Sequence, residues 1–163
     1  MASLYSVSPL VWASGILISA TLFSAFWFLD ALTHKELVKV DITDRELQTH
    51  RNILATSMLM ELSLVLMYFW SWEILPLFLA FFITRTAHEF IDELHFHVGR
   101  CTPFETTLHL VMWVTVLSKT GFMFMWGFFT NYAGIWELPV FYYVWAVLAF
   151  GSMGLTSLAE WKR

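Results

Sequence analysis

The chain has 163 residues and a mean hydropathy of +0.65, and 58% of its residues are hydrophobic whereas only 13% are charged. This composition excludes an ordinary soluble domain and predicts an integral membrane protein, with the lipid bilayer as its first partner. The formal net charge is -4 and no acidic or basic run occurs, so the sequence does not favour a nucleic-acid partner. The single cysteine, Cys101, excludes an internal disulfide.

Apolar segments, taken in chain order, predict an all-α protein with five transmembrane helices in one up-and-down bundle. The first segment follows a lead without Lys or Arg, which is typical of a retained helix rather than a secretory signal. Capping-box patterns at 43–46 and 102–105 open the second and fourth helices, and Gly99 is placed to end the third. The predicted spans of this single transmembrane domain are about 9–32, 51–72, 75–97, 104–129 and 140–161.

The basic residues predict the orientation of this bundle. With five spans, one side carries Lys35, Lys39, Arg45, Arg51, Arg100, Lys162 and Arg163, and the loops of the opposite side carry none. The positive-inside rule makes the first side cytoplasmic, which places the N-terminus outside and the C-terminus inside. We therefore expect a plasma (inner) membrane protein.

A layer of polar side chains is predicted where the third helix leaves the membrane. His88, Asp92 and His95 have the spacing i, i+4 and i+7, which puts three potential metal ligands on one face of an α-helix. Glu105 and His109 repeat the i, i+4 spacing after a short break, and carboxylates and imidazoles that project inward from facing helices are typical of metal-binding bundles. The predicted ligands of one or two metal ions are His50, His88, Asp92, His95, Glu105 and His109, and the predicted acceptors behind their imidazole rings are Asp30, His34 and Glu89.

Several residues of this layer have simpler interpretations. Glu46 and Glu105 are also explained as partners of helix caps. His97 falls on a different face of an α-helix from His95, which predicts contact with solvent or lipid headgroups. Cys101 is interpreted as a small loop residue, although its closeness to the histidines leaves ligation open.

Three further ionisable residues, Glu61, Arg85 and Lys119, fall near the middle of the predicted spans. Charges at that depth are costly unless they face the bundle interior and are paired or hydrated. We therefore expect all three to point inward and Glu61 to lie within pairing distance of Arg85. The trio is interpreted either as a salt bridge that fixes helix register, or as a polar path or pocket for an anionic headgroup that leads from the metal layer into the membrane.

The reaction is less well defined than the site. The repeated paired histidines of membrane desaturases are absent, as is an H-E-x-x-H motif, and mixed carboxylate and imidazole ligands suit iron, manganese or zinc better than haem. The favoured hypothesis is a metal-dependent membrane enzyme, an oxidoreductase or a hydrolase, that acts on a lipid-soluble substrate at the cytoplasmic boundary. The alternatives are a non-catalytic subunit that assembles with other membrane subunits, and an ion or proton pathway. The sequence assigns no catalytic residue.

Overall fold

The computed structural model describes the backbone of residues 6–41 and 43–161 and the side chains of 6–32, 43–159 and 161. The described residues form five α-helices: α1 (Pro9–Asp41), α2 (Asp44–Trp70), α3 (Leu75–Ile91), α4 (Pro103–Thr130) and α5 (Val140–Trp161). Two 3-10 turns, Ser71–Ile74 and Ile135–Glu137, join α2 to α3 and α4 to α5, and a π-helical turn, Asp92–His97, extends α3. No strand occurs in the described part, so the all-α prediction is confirmed.

Four helical stretches are long and apolar enough to cross a membrane: Pro9–Leu32, Asp44–His97, Pro103–Thr130 and Val140–Ala159. The second is a stretch of 54 residues that contains α2, the first 3-10 turn, α3 and the π-helical turn. The sequence predicts two spans there, at 51–72 and 75–97. Large apolar side chains on the outer surface are open to the surroundings, as on Phe69, Val140 and Val147, which are 71%, 76% and 73% exposed. Such a surface suits a lipid environment.

The helices pack as neighbours along most of their length. α1 lies against α4 and α5, and α2 lies against α3 and α4. Because α2 packs on α3, the chain reverses at the 3-10 turn between them, where Ser71 has a φ of 46°. The apolar core fills the half of the bundle remote from the 98–102 loop, and its members are Trp12, Ala13, Ile16, Met60, Leu64, Met67, Phe78, Met123, Trp126, Phe128 and Tyr132.

Both predicted capping boxes are present, and they lie at the other end of the bundle. The Thr43 hydroxyl accepts a hydrogen bond from the Glu46 amide at 3.2 Å, and the Thr102 hydroxyl accepts one from the Glu105 amide at 3.3 Å. Gly99 has a φ of 79°, a left-handed conformation that suits glycine, and it follows the end of the π-helical turn as predicted. The starts of α2 and α4 therefore meet the end of α3 at one level.

Candidate metal centre

The site is built around the π-helical turn Asp92–His97. Backbone hydrogen bonds in a π-helix run from i to i+5, so residues five apart come to lie one above the other. Asp92 and His97 are five apart, and each is 7% exposed, whereas His95 is exposed. The expectation that His97 contacts solvent or headgroups is therefore wrong, because the turn is not α-helical. His95 does not share the buried face of Asp92 for the same reason.

Three histidine rings from different elements meet at this level. The ring centroid of His97 lies 4.8 Å from that of His109 on α4 and 6.0 Å from that of His50 on α2. Carboxylates surround these rings. We define the histidine-carboxylate cluster as Asp30, Glu46, His50, Asp92, Glu93, His97 and His109.

Both ring nitrogens of His109 lie beside carboxylates. Nε2 is 3.1 Å from Asp30 Oδ1 on α1, and Nδ1 is 2.7 Å from Glu93 Oε1 on the π-helical turn. The structure thus places Asp30 behind a cluster histidine, where a hydrogen-bond acceptor was expected. His109 ties α1, α4 and the end of α3 together in one network.

The carboxylate oxygens around His97 lie farther from its ring nitrogens than those around His109. Its Nε2 lies 4.0 Å from Glu46 Oε1 and 3.8 Å from Asp92 Oδ2, and its Nδ1 lies 3.7 Å from Glu93 Oε1. These distances are too long for direct hydrogen bonds. Two donors that each stand about 2.1 Å from one metal ion are at most about 4.2 Å apart. The separations around His97 fall within this limit.

Two sets of three potential donor atoms lie close together, and both contain His97. The donor atoms of Glu46, His50 and His97 all lie within 4.8 Å of one another, as do those of His97, Cys101 and His109. A further carboxylate adjoins the first set, because His50 Nε2 is 3.0 Å from Asp92 Oδ1. His97 is common to both sets.

The two capping glutamates differ in whether a carboxylate oxygen is directed at the histidine-carboxylate cluster. Glu46 Oε2 accepts from Arg100 Nη1 at 2.9 Å, while Glu46 Oε1 faces His97. Glu105 Oε2 accepts from the Thr102 amide at 2.7 Å, and Glu105 belongs to neither donor set. The capping interpretation is confirmed for both residues, and Glu46 keeps one oxygen directed at the histidines.

Other predicted site residues lie elsewhere. His88 Nδ1 is 2.8 Å from the Thr84 carbonyl, and His88 Nε2 is 3.1 Å from Asn52 Nδ2 on α2. The face of α3 that lines the near side of the bundle interior carries Arg85 and Glu89 rather than His88, and Asp92 follows them in the π-helical turn. Glu89 forms an ion pair with Arg85, so the structure gives it no place behind a cluster histidine. The side chain of His34 falls outside the described residues.

The charged side chains at mid-depth face inward as predicted, but with different partners. Lys119 is 1% exposed, and its Nζ lies 2.7 Å from Glu61 Oε1. Arg85 pairs with Glu89 one turn along its own helix and donates from Nε to Ser57 Oγ at 3.1 Å. The expected pair of Glu61 and Arg85 is therefore wrong, because each residue has a nearer ion of opposite charge.

A cavity of about 490 Å³ connects the histidine-carboxylate cluster with these ion pairs, and we call it the near cavity. The charged and histidine side chains of its lining come from the cluster, apart from Glu46, and from Glu61, Arg85, Glu89 and Lys119. Most of the remaining wall is apolar, and Trp27, Met112 and Phe150 are examples. A molecule in this cavity would touch both polar groups and hydrocarbon.

Cys101 lies in the loop that follows the π-helical turn and is partly buried. Burial raises the pKa of its thiol to about 11, and the nearby carboxylate of Glu105 adds to the rise. The thiol is therefore protonated at neutral pH unless a metal ion displaces its proton.

Sequence reasoning did not single out Glu93 and put His97 on the outside. The segment H-F-H at 95–97 offers two histidines on different helix faces, and nothing in its composition marks a π-helical turn. One signal was available: Glu93 and His97 have the same i, i+4 spacing as Glu105 and His109.

Comparison of the chain with protein-family models, curated proteins and solved structures finds no match. Its function is therefore argued from the geometry of the site alone.

Proposed function

We propose that this chain is a metal-dependent integral membrane enzyme, whose centre of one or two ions is held around His97 and whose substrate is lipid-soluble. The observation that carries the proposal is the spacing of 3.7 to 4.0 Å between the His97 nitrogens and three carboxylates. The ligands proposed are Glu46, His50, Asp92, Glu93, His97 and His109, with Cys101 next to them.

The charge of the cluster supports a bound cation. Four carboxylates, of Asp30, Glu46, Asp92 and Glu93, lie among three imidazoles in a largely buried site. Arg100 pairs with the carboxylate of Glu46, and His109 lies between those of Asp30 and Glu93. Buried negative charges are costly unless they are paired or coordinate metals. Mixed oxygen and nitrogen donors suit iron, manganese or zinc, which would supply redox or Lewis-acid chemistry for an oxidation or a hydrolysis.

The proposed topology has five membrane crossings, with the cluster at the cytoplasmic boundary. A straight helix of 54 residues would be about 81 Å long, against about 30 Å of hydrocarbon. Because α2 packs on α3, this stretch is proposed to cross twice. Single cysteines placed at 7 and at 100, in a C101S background, should react with a membrane-impermeant maleimide from opposite sides; labelling from the same side would refute the five-crossing topology.

The test of the metal centre uses two histidines that lie two residues apart in the same turn. We expect the wild type, purified without chelators, to contain stoichiometric iron, manganese or zinc by elemental mass spectrometry. His97→Ala should lose most of this metal, because His97 belongs to both donor sets. His95→Ala is the matched control, since His95 is exposed, and it should keep the metal.

Circular dichroism of each variant should show unchanged helix content, because the core lies in the other half of the bundle. Equal metal content in His97→Ala and His95→Ala would contradict the proposed centre. A wild type that purifies without metal would favour a proton pathway through the same histidines and carboxylates.

A further inference from the structure

A second cavity lies one helical turn beyond the near cavity, in the half of the bundle that holds the core. It measures about 350 Å³, and we call it the far cavity. On α2 the near cavity ends at Glu61 and the far cavity begins at Val65, and on α4 the corresponding residues are Lys119 and Met123. Phe150 of α5 lines both cavities. The two spaces are therefore stacked along the bundle axis, and the ring of Phe150 forms part of the wall of both.

The wall of the far cavity is hydrocarbon although tyrosines and tryptophans line it. Their polar atoms are directed into the protein: Tyr132 donates to the Leu64 carbonyl at 2.7 Å, and Tyr143 donates to the Ile135 carbonyl at 2.7 Å. The hydroxyl of Tyr142 lies 2.9 Å from Ser14 Oγ. With these groups satisfied, the cavity presents carbon to its contents and suits an apolar chain.

Both cavities open toward lipid between α2 and α5. These helices pack on their other neighbours, α2 on α3 and α4 and α5 on α1. Met58 and Leu158 line the near cavity yet are 65% and 59% exposed, and Phe69 lines the far cavity yet is 71% exposed. A side chain that lines a cavity and also lies on the outer surface marks its mouth. An occupant can therefore enter sideways from the bilayer.

The size of the far cavity suits a small-molecule occupant. Ligand cavities in proteins measure about 300–1,000 Å³, and the far cavity, at about 350 Å³, lies at the lower end of this range. A single hydrocarbon chain is an occupant of suitable size.

The charged side chains that line the near cavity indicate what kind of polar group a bound molecule would place there. Among the described residues, its lining includes five carboxylates, of Asp30, Glu61, Glu89, Asp92 and Glu93, and two side-chain cations, of Arg85 and Lys119. Each of these two side chains is paired with a carboxylate, so neither is left to bind an anionic headgroup. Glu61 Oε2 is buried and has no hydrogen-bond partner among the described residues. A neutral hydroxyl would donate to it.

We propose that the two cavities together bind a neutral single-chain amphiphile, with its hydroxyl-bearing end in the near cavity and its hydrocarbon tail in the far cavity. This names the substrate class of the proposed enzyme and so rests on that function. From the level of His109 to that of Trp126 the two cavities extend over 17 residues of α4, about 26 Å at 1.5 Å per residue. The bound molecule is therefore a long-chain alcohol or an amphiphile of the same kind.

The test uses a long-chain fatty alcohol that carries a photoactivatable diazirine near its terminal methyl group. The full-length protein in phosphatidylcholine nanodiscs is irradiated with this probe, and labelled peptides are mapped by mass spectrometry. We expect labelling at the far-cavity segments of α2 and α5, and competition by the unlabelled alcohol. The matching fatty acid and a diacyl phospholipid, each with the same diazirine, should label these segments about tenfold less, because of their charge and their second chain.

A matched pair of substitutions tests whether the hydrocarbon tail lies in the far cavity. Ala146→Trp places a large ring in the far cavity and should lower labelling by about tenfold. Val147→Trp, one residue along α5 and 73% exposed, should leave labelling unchanged. Equal labelling of both variants, or equal labelling by the phospholipid probe, would overturn the proposal.

The experiment is repeated after treatment with a chelator. None of the proposed metal-binding residues lines the far cavity, so removal of metal should not affect labelling there. Labelling by the alcohol that survives metal removal supports the amphiphile site even if the protein proves to have no metal centre. Absence of labelling at the far cavity in protein that contains metal would refute the proposed substrate class without contradicting the proposed metal centre.

Discussion

The pair of Lys119 and Glu61 gives a prediction whose size follows from the structure. Lys119 is 1% exposed, its Nζ lies 2.7 Å from Glu61 Oε1, and it stands 5.8 Å and 5.7 Å from the ring centroids of Phe23 and Phe150. At an effective dielectric constant of about 20, charges at this distance attract by about 6 kcal/mol, and desolvation offsets much of that. We expect Lys119→Met to lower the free energy of unfolding by roughly 3–5 kcal/mol, because it leaves the carboxylate buried without its cation.

The partner variant should behave differently. Glu61→Gln leaves the ammonium group between two aromatic rings, which stabilise it by roughly 0.5–2 kcal/mol each, so this variant should cost less than Lys119→Met. The double variant Glu61→Gln with Lys119→Met removes both charges and should be more stable than Lys119→Met alone. Leu117→Met, on the exposed face of the same helix, is the control for the new methionine.

The assay is equilibrium unfolding in mixed micelles, followed by the fluorescence of the nine tryptophans. The reasoning fails if Lys119→Met unfolds within about 0.5 kcal/mol of wild type. It also fails if the double variant loses the sum of the two single losses, since coupled charges should not be additive.

Three further predictions concern local features. In chelator-treated protein, alkylation of Cys101 by iodoacetamide should be slow at neutral pH and should keep rising toward pH about 11, because a raised pKa leaves little thiolate below it; a plateau near the pH expected for a free cysteine would contradict the burial of this thiol. Gly127→Ala should destabilise the fold by roughly 1–3 kcal/mol, because a Cβ there would stand 2.9 Å from the ring of Tyr132. Gly121→Ala, where nothing lies within 4 Å, should be neutral or slightly stabilising in the same thermal unfolding assay, and equal effects at both glycines would refute the close approach. Thr102→Ala should cost about 1 kcal/mol through the lost helix cap, and an unchanged melting temperature would show that the cap is dispensable.

Features that depend on neighbouring residues in the chain were predictable. The two capping boxes and the left-handed Gly99 follow from short patterns, and each is present where the pattern stands. The burial of Lys119 also follows from simple physics, because an unpaired charge in hydrocarbon is costly. Local chemistry and burial cost are sufficient for features of this kind.

Features that depend on helix rotation were not predictable. On a continuous α-helix, Asp92 and His97 stand about 140° apart, so the pattern places one of them outside. The π-helical turn reduces this offset, and the residue types in the turn do not predict it. The partner of Glu61 is missed for a related reason: depth in the membrane gives the level of a charge, but only the packing of α2 against α4 brings it to Lys119.

The cluster and the apolar core lie at different ends of the bundle, which explains why a substitution in the cluster should leave the fold intact. The histidine-carboxylate cluster is assembled at one end of the bundle, from two capped helix starts and one π-helical turn. The apolar core occupies the other end, and the outer apolar surfaces of the helices face the surroundings along their length. Membrane insertion depends on the apolar helices, whereas the proposed metal coordination depends on a few side chains at their ends. A variant such as His97→Ala therefore removes ligands without removing core contacts, which is why its metal content, rather than its helix content, is the informative measurement.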